Sequence, residues 1–167
     1  MKTLEQKELN NNIAILIWNM AAGSALAWYV SNGLGSAHPY LAPLSVILCL
    51  QSTFSKTFLL SLKRIIGTVI GILVSVLIAS YLTFNGWELG LLILIGCYIT
   101  KWFRFDRIVL HQVALTILFV FAFEHKTSHY ATDRMRDTIV GVAVAIIIQY
   151  IWSRVRWKNQ LRTNKLP

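Results

Sequence analysis

The sequence predicts an all-α, polytopic membrane protein: six transmembrane helices arranged as two inverted three-helix repeats. Three observations lead there. Hydrophobic residues make up 56% of the chain, charged residues 14%, and the mean hydropathy is +0.57, a composition that belongs to lipid rather than to a soluble core. No charged residue lies between Glu8 and Lys56 or between Arg64 and Glu88; as a helix the second gap covers roughly 35 Å, enough for a hydrocarbon core about 30 Å thick. The third is a motif that occurs twice. Arg64-Ile65-Ile66-Gly67-Thr68-Val69-Ile70-Gly71 is echoed by Arg134-Met135-Arg136-Asp137-Thr138-Ile139-Val140-Gly141, with arginine, threonine and glycine at matched spacing. A cation at the mouth of an apolar run costs roughly 2.5–3.5 kcal/mol near mid-bilayer, so its recurrence points to a shared site.

The hydrophobic pattern places spans at 12–32, 39–55, 63–84, 87–103, 107–124 and 135–156. Residues 1–11 then form a cytoplasmic N-terminus, 12–156 the transmembrane domain and 157–167 a cytoplasmic tail. The first run is longer than a signal-peptide core and lacks a net positive flank, although Ser36-Ala37 offers small residues of the kind found at cleavage sites. Turn chemistry separates spans one and two at Ser31-Asn32-Gly33-Leu34-Gly35, and Asn85-Gly86 precedes span four. Span two holds Pro39 and Pro43; Pro43 either shapes a first turn or breaks the helix beside a cavity. Trp28, Tyr29, Trp87, Trp102, Trp152 and Trp157 fall near span ends, where amphipathic rings favour the headgroup level.

Lysine and arginine set the orientation. With six spans the termini share a side, and that side collects every cation except Lys126, Arg134 and Arg136. Both termini are therefore expected in the cytoplasm. The net charge of +9 sits mostly on the inner loops, where it faces anionic lipid rather than nucleic acid. Three spans per repeat then turn the halves upside down relative to each other, the arrangement of many secondary transporters.

Small residues mark the helix seams. Gly67, Gly71, Ser75 and Ala79 fall on one face of span three, and the repeat shifts them to Asp137, Gly141, Ala145 and Gln149 in span six. Helices in lipid associate through close backbone approach, so Gly67, Gly71, Ser75 and Gly141 are expected as packing positions. Asp137 and Gln149 need polar partners there. Ala21, Ala22, Gly23, Ser24, Ala25 and Ala27 give span one a similar face.

The candidate chemistry is binding. A guanidinium grips a carboxylate through two parallel hydrogen bonds, and a helix N-terminus adds oriented N–H groups. Arg64 and Arg136 are expected at such N-termini, with Thr68 and Thr138 one turn inward, as the residues that bind an organic anion. The plainer alternatives are an interfacial anchor for Arg64 beside Lys63, and pairing of Arg136 with Asp133 or Asp137. Arg134 fits the repeat spacing better than Arg136 but lies farther from the apolar run. His111, early in span five beside Gln112, is a candidate proton relay or a hydrogen-bonded structural histidine. Glu88 and Glu124 are candidates for proton coupling, but at the span ends they are expected to be solvated. Cys49 and Cys97 read as small apolar residues. No zinc pattern, nucleophile triad, P-loop or dinucleotide fingerprint occurs, so neither an enzyme nor a cofactor or metal is expected.

These residues resemble a known family. Tyr40-Leu41-Ala42-Pro43, Gln51-Ser52, Lys63-Arg64 and Gly67-Thr68-Val69-Ile70-Gly71, followed later by Arg136-Asp137-Thr138 with Gly141, are similar to the fusaric acid resistance and aromatic acid exporter family over about residues 12–156. The resemblance implies efflux of aromatic carboxylic acids across the inner membrane, and a homodimer. The plant aluminium-activated malate channels look like distant relatives with a dimeric pore. Larger members carry a cytoplasmic domain, whereas this sequence ends about ten residues after span six. A transporter or channel for organic anions is thus expected; the competing class is a membrane subunit that packs against another protein and supplies no pathway. Polar residues converging inside the bundle favour the first, and a dry bundle with Arg64 among headgroups the second.

Overall fold

In the computed structural model the backbone is described for residues 2–79, 85–123 and 130–163, and side chains for 10, 12–78, 85–123 and 130–155. Six helices follow one another: α1 (Lys2–Gly33), α2 (Leu41–Cys49), α3 (Phe54–Ala79), α4 (Gly86–Trp102), α5 (Arg107–Phe123) and α6 (Tyr130–Thr163). No strand occurs among the described residues, and the all-α class stands. Three segments, Asn12–Gly33, Phe54–Ile78 and Tyr130–Val155, are long and apolar enough to cross a bilayer. Trp28, Tyr29, Trp87 and Trp102 are exposed on the outside of the bundle, while the side chain of Trp157 lies outside the described residues.

The ends of the helices follow local chemistry. Helix α1 closes with Gly35 at φ +74, while Gly35 N–H donates to Asn32 O and Ser36 N–H to Ser31 O. This is a Schellman turn, and glycine reaches its left-handed position without strain. Helix α4 closes the same way: Arg104 stands at φ 55, its N–H donates to Lys101 O, and Phe105 N–H donates to Thr100 O. At the other end of α4, Asn85 and Glu88 form a capping box. Glu88 is 4% exposed, which corrects the expectation of a solvated carboxylate. Glu124 lies outside the described residues.

Several boundaries depart from the hydrophobic pattern. Helix α1 starts at Lys2 and α6 runs to Thr163, so helix continues through much of the two expected terminal segments. Helix α2 has only 9 residues instead of the expected 39–55. Pro43 sits in its first turn, where a missing N–H costs nothing, and Leu50 is extended at ψ 127. Gln51 N–H then donates to Thr57 Oγ1 at 2.9 Å, tying the turn to α3. Helix α3 begins at Phe54, not at 63, because nothing in 54–62 breaks a helix. Helix α6 is already formed at Tyr130, ahead of the expected 135.

Helix α3 packs on α5 and α6, α2 on α6, α4 on α5, and α1 on α2 and α6. Exchanging α1 with α4, α2 with α5 and α3 with α6 maps each of these pairs onto a pair that also touches. The correspondence reaches single residues. A Cβ on Gly71 would meet the side chain of Thr116 and the carbonyl of Val113, both on α5; on Gly141 it would meet Ser45 and the carbonyl of Ala42, both on α2. Ala27 packs with Ala42, Val46 and Val144, and Gly96 against Val113, Ile117 and Val74. Both expected packing glycines of α3, Gly67 and Gly71, face α5 at contact distance. Ser75 is buried, and the side chain of Ala79 lies outside the described set.

Candidate functional site

Arg64 does not start a helix. It lies ten residues into α3, beyond the first turn in which helix N–H groups act on a charge. Its neighbour Lys63 takes the surface role instead and pairs with Asp106. Arg64 itself turns inward and is 4% exposed.

Three helices supply the groups at this site. From α3, Arg64 Nε donates to Ser45 Oγ on α2 at 3.0 Å, and its Nη1 donates to Gln112 Oε1 on α5 at 2.8 Å. Gln112 Nε2 in turn donates to Thr68 Oγ1 at 3.2 Å and Thr116 Oγ1 at 3.3 Å. This arrangement connects Arg64 to Thr68 through Gln112 and brings Ser45 and Thr116 beside them. Every one of these groups is buried. A cavity of about 210 Å³ opens beside them, lined by Arg64, His111, Gln112, Leu48, Leu60, Ile108 and Leu115. That volume far exceeds the ~10–15 Å³ a single water needs.

Both hydrogen-bond partners of Arg64 are neutral. The ion pairs among the described residues are Lys63–Asp106 and His38–Asp133, so no carboxylate there balances the guanidinium. Removing a charge from water without a counter-charge costs several kcal/mol, and that imbalance is the chemical feature of the site. His111 stands at its rim. Its ring is exposed, and Nδ1 lies 2.7 Å from Arg107 O; a carbonyl can only accept, so Nδ1 carries hydrogen and Nε2 is left as the basic nitrogen.

The second half of the motif divides differently from the sequence reading. Arg134, four residues into α6, is 1% exposed and is the largest fully buried side chain among the described residues. Its guanidinium lies over the Phe119 ring at 4.5 Å, and Nε has no hydrogen-bond partner. Arg136 is half-buried, and at about 100° per residue it stands on the far side of α6 from Thr138. Its Nε and Nη2 have no partner among the described residues. The expected acidic partners are engaged elsewhere: Asp133 approaches His38 Nδ1 at 3.4 Å, and Asp137 accepts from Ser31 Oγ at 2.5 Å and Ser36 Oγ at 2.6 Å. Thr138 is buried on the inward face. Spacing alone carries this distinction, because Arg134 shares its face with Tyr130, Asp137, Thr138 and Gly141 at three- and four-residue steps.

Gln149 is 3% exposed and lines a separate cavity of about 170 Å³ with Ser52, Thr53 and Trp152. Cys49 packs with Leu50, Val142 and Ala145 as a small apolar residue. No cluster of potential metal ligands occurs among the described residues.

A family model described as fusaric acid resistance protein-like matches residues 26–148. No curated protein and no solved structure matches the chain.

Proposed function

Because the chain belongs to the fusaric acid resistance protein-like family, we propose that it exports organic anions across the cell's inner membrane, with aromatic carboxylic acids as the substrate class. One observation carries the reading. Arg64 is buried, has only neutral partners and faces a cavity. A carboxylate entering that cavity supplies the missing charge and meets a guanidinium already oriented by Ser45 and Gln112. Pre-orientation lowers the entropy lost on binding, and the forked donor set favours a planar anion. Thr68 and Thr116 hold Gln112 in place, and His111 Nε2 offers a proton acceptor at the rim.

The family points to membrane transport or resistance rather than catalysis, and the polar groups gathered inside the bundle support a pathway over a passive subunit. The paired helix contacts support two halves in inverted orientation, and the lysine and arginine distribution supports both termini in the cytoplasm with Arg64 in the inner half. A homodimer completes the proposed assembly. Vesicles containing only this protein should move labelled hydroxybenzoate saturably. Arg64→Lys should weaken binding about tenfold, the loss expected when one charge-assisted hydrogen bond goes, with folding unchanged. Transport that is absent in the native chain sinks the export reading, and binding unchanged in Arg64→Lys removes Arg64 from the site.

A further inference from the structure

The two arginines that match by repeat spacing are in different surroundings. The helix exchange that carries Gly71 onto Gly141, and Ser45 onto Thr116, also carries Arg64 onto Arg134. Beside Arg64 the cavity is bounded by Leu48, Leu60 and His111. The same exchange carries Leu48 onto Phe119 and Leu60 onto Tyr130, and it puts Tyr40 in the place of His111. Two aliphatic side chains beside one arginine thus become two aromatic rings beside the other.

Those rings stand at the positions that correspond to the lining of the cavity beside Arg64. The Arg134 guanidinium lies over Phe119 at 4.5 Å. Tyr130 is fully buried, stacks on Phe123 at 5.3 Å and meets His38 edge-on at 4.8 Å. Phe119 packs against the same cluster as Tyr130. Among the described residues no carboxylate pairs with Arg134, and its Nε is buried without a hydrogen-bond partner. A guanidinium so placed keeps its affinity for an anion, because a ring face is a weaker partner than a carboxylate.

We propose that Arg134 is a second anion site, held closed by the rings of Phe119 and Tyr130, which move aside to admit an organic carboxylate. The proposal rests on the anion reading of Arg64, extends it to the other half and shares its ligand class. Two stations, one open and one plugged, give an anion a place to arrive after it leaves Arg64.

Benzoate is the probe, and its binding is measured by calorimetry on the full chain in detergent. Arg64→Gln should bind benzoate at least tenfold more weakly than the native chain. Adding Phe119→Leu and Tyr130→Leu gives the Arg134 half a lining like that beside Arg64, and binding should tighten at least tenfold again. Adding Arg134→Gln should then abolish it. A monodisperse Arg64→Gln/Phe119→Leu/Tyr130→Leu chain that binds no more tightly than Arg64→Gln overturns the proposal, as does tight binding that survives Arg134→Gln. If the double truncation does not fold, Phe119→Leu alone carries the comparison. Phenylglyoxal labelling of Arg134 in the Arg64→Gln chain, read by mass spectrometry, is the second measurement. Saturating benzoate should slow it at least threefold, and labelling that is absent or indifferent to benzoate overturns the proposal. A native chain that binds no benzoate, while the truncated chain binds it through Arg134, would uphold the second site and count against Arg64 alone.

Discussion

At the scale of single residues, Gln112 joins the parts of the site. It accepts from Arg64 and donates to Thr68 and Thr116, so its identity as a neutral amide leaves the guanidinium's charge uncancelled. Gln112→Glu supplies the counter-charge from within, and the two threonine hydroxyls can donate to it. That variant should keep or raise the thermal unfolding midpoint while abolishing benzoate binding. Gln112→Leu should instead destabilise by about 1–3 kcal/mol, because it leaves a buried donor on Arg64 unsatisfied. Thermal unfolding and calorimetry on the two variants check both statements; benzoate binding that survives in Gln112→Glu would place the anion elsewhere. Arg64 and Thr68 are legible in the sequence because a cation in an apolar run demands a partner or a purpose. Gln112 is visible there only as a polar residue early in α5, since nothing local says that it faces α3. Nearness to the apolar run points to Arg136, yet burial is decided by helical face, and Arg134 has the inward one.

At the scale of helices, glycine decides how closely neighbours approach. A Cβ on Gly141 would overlap the backbone carbonyl of Ala42 as well as the Ser45 side chain, whereas one on Gly33 meets nothing within 4 Å. Backbone cannot rotate away as a side chain can, so Gly141→Ala should destabilise, and Gly141→Leu more severely, on the order of the 1–3 kcal/mol typical of overpacking. Gly33→Ala should be neutral or stabilise by up to about 0.5–1 kcal/mol, the usual gain of alanine over glycine in a helix. Thermal unfolding in one detergent compares the three. A Gly141→Leu chain as stable as the native one would mean that α2 and α6 do not meet at this seam. The four-residue spacing of small residues makes the seams of α3 and α6 legible. The shortness of α2 is not, because Leu50 continues the apolar pattern while its backbone is already extended, and hydrophobicity does not report backbone direction.

At the scale of the whole molecule, charge distribution predicts how the bundle sits in the membrane. The loops at Gly33 and Gly86 carry no cation, while Lys56, Lys63, Lys101, Arg104 and Arg107 cluster at the opposite ends of the helices. Cations near helix ends are retained on the cytoplasmic side, which predicts both termini inside and the Gly33 and Gly86 turns outside. It also predicts Thr68 and Thr138 in opposite halves of the bilayer. Single cysteines test this directly. Cys49 and Cys97 are free and must first be replaced by alanine so that neither reports. A cysteine at Gly33 or Gly86 has open space around it and should react with an impermeant maleimide added to intact cells, whereas one at Thr163 should react only after the membrane is opened. Labelling of Thr163→Cys from outside, with Gly33→Cys and Gly86→Cys protected, would invert the bundle and place the open Arg64 cavity in the outer half. An anion would then meet that cavity from outside, so export from the cytoplasm would have to begin at Arg134.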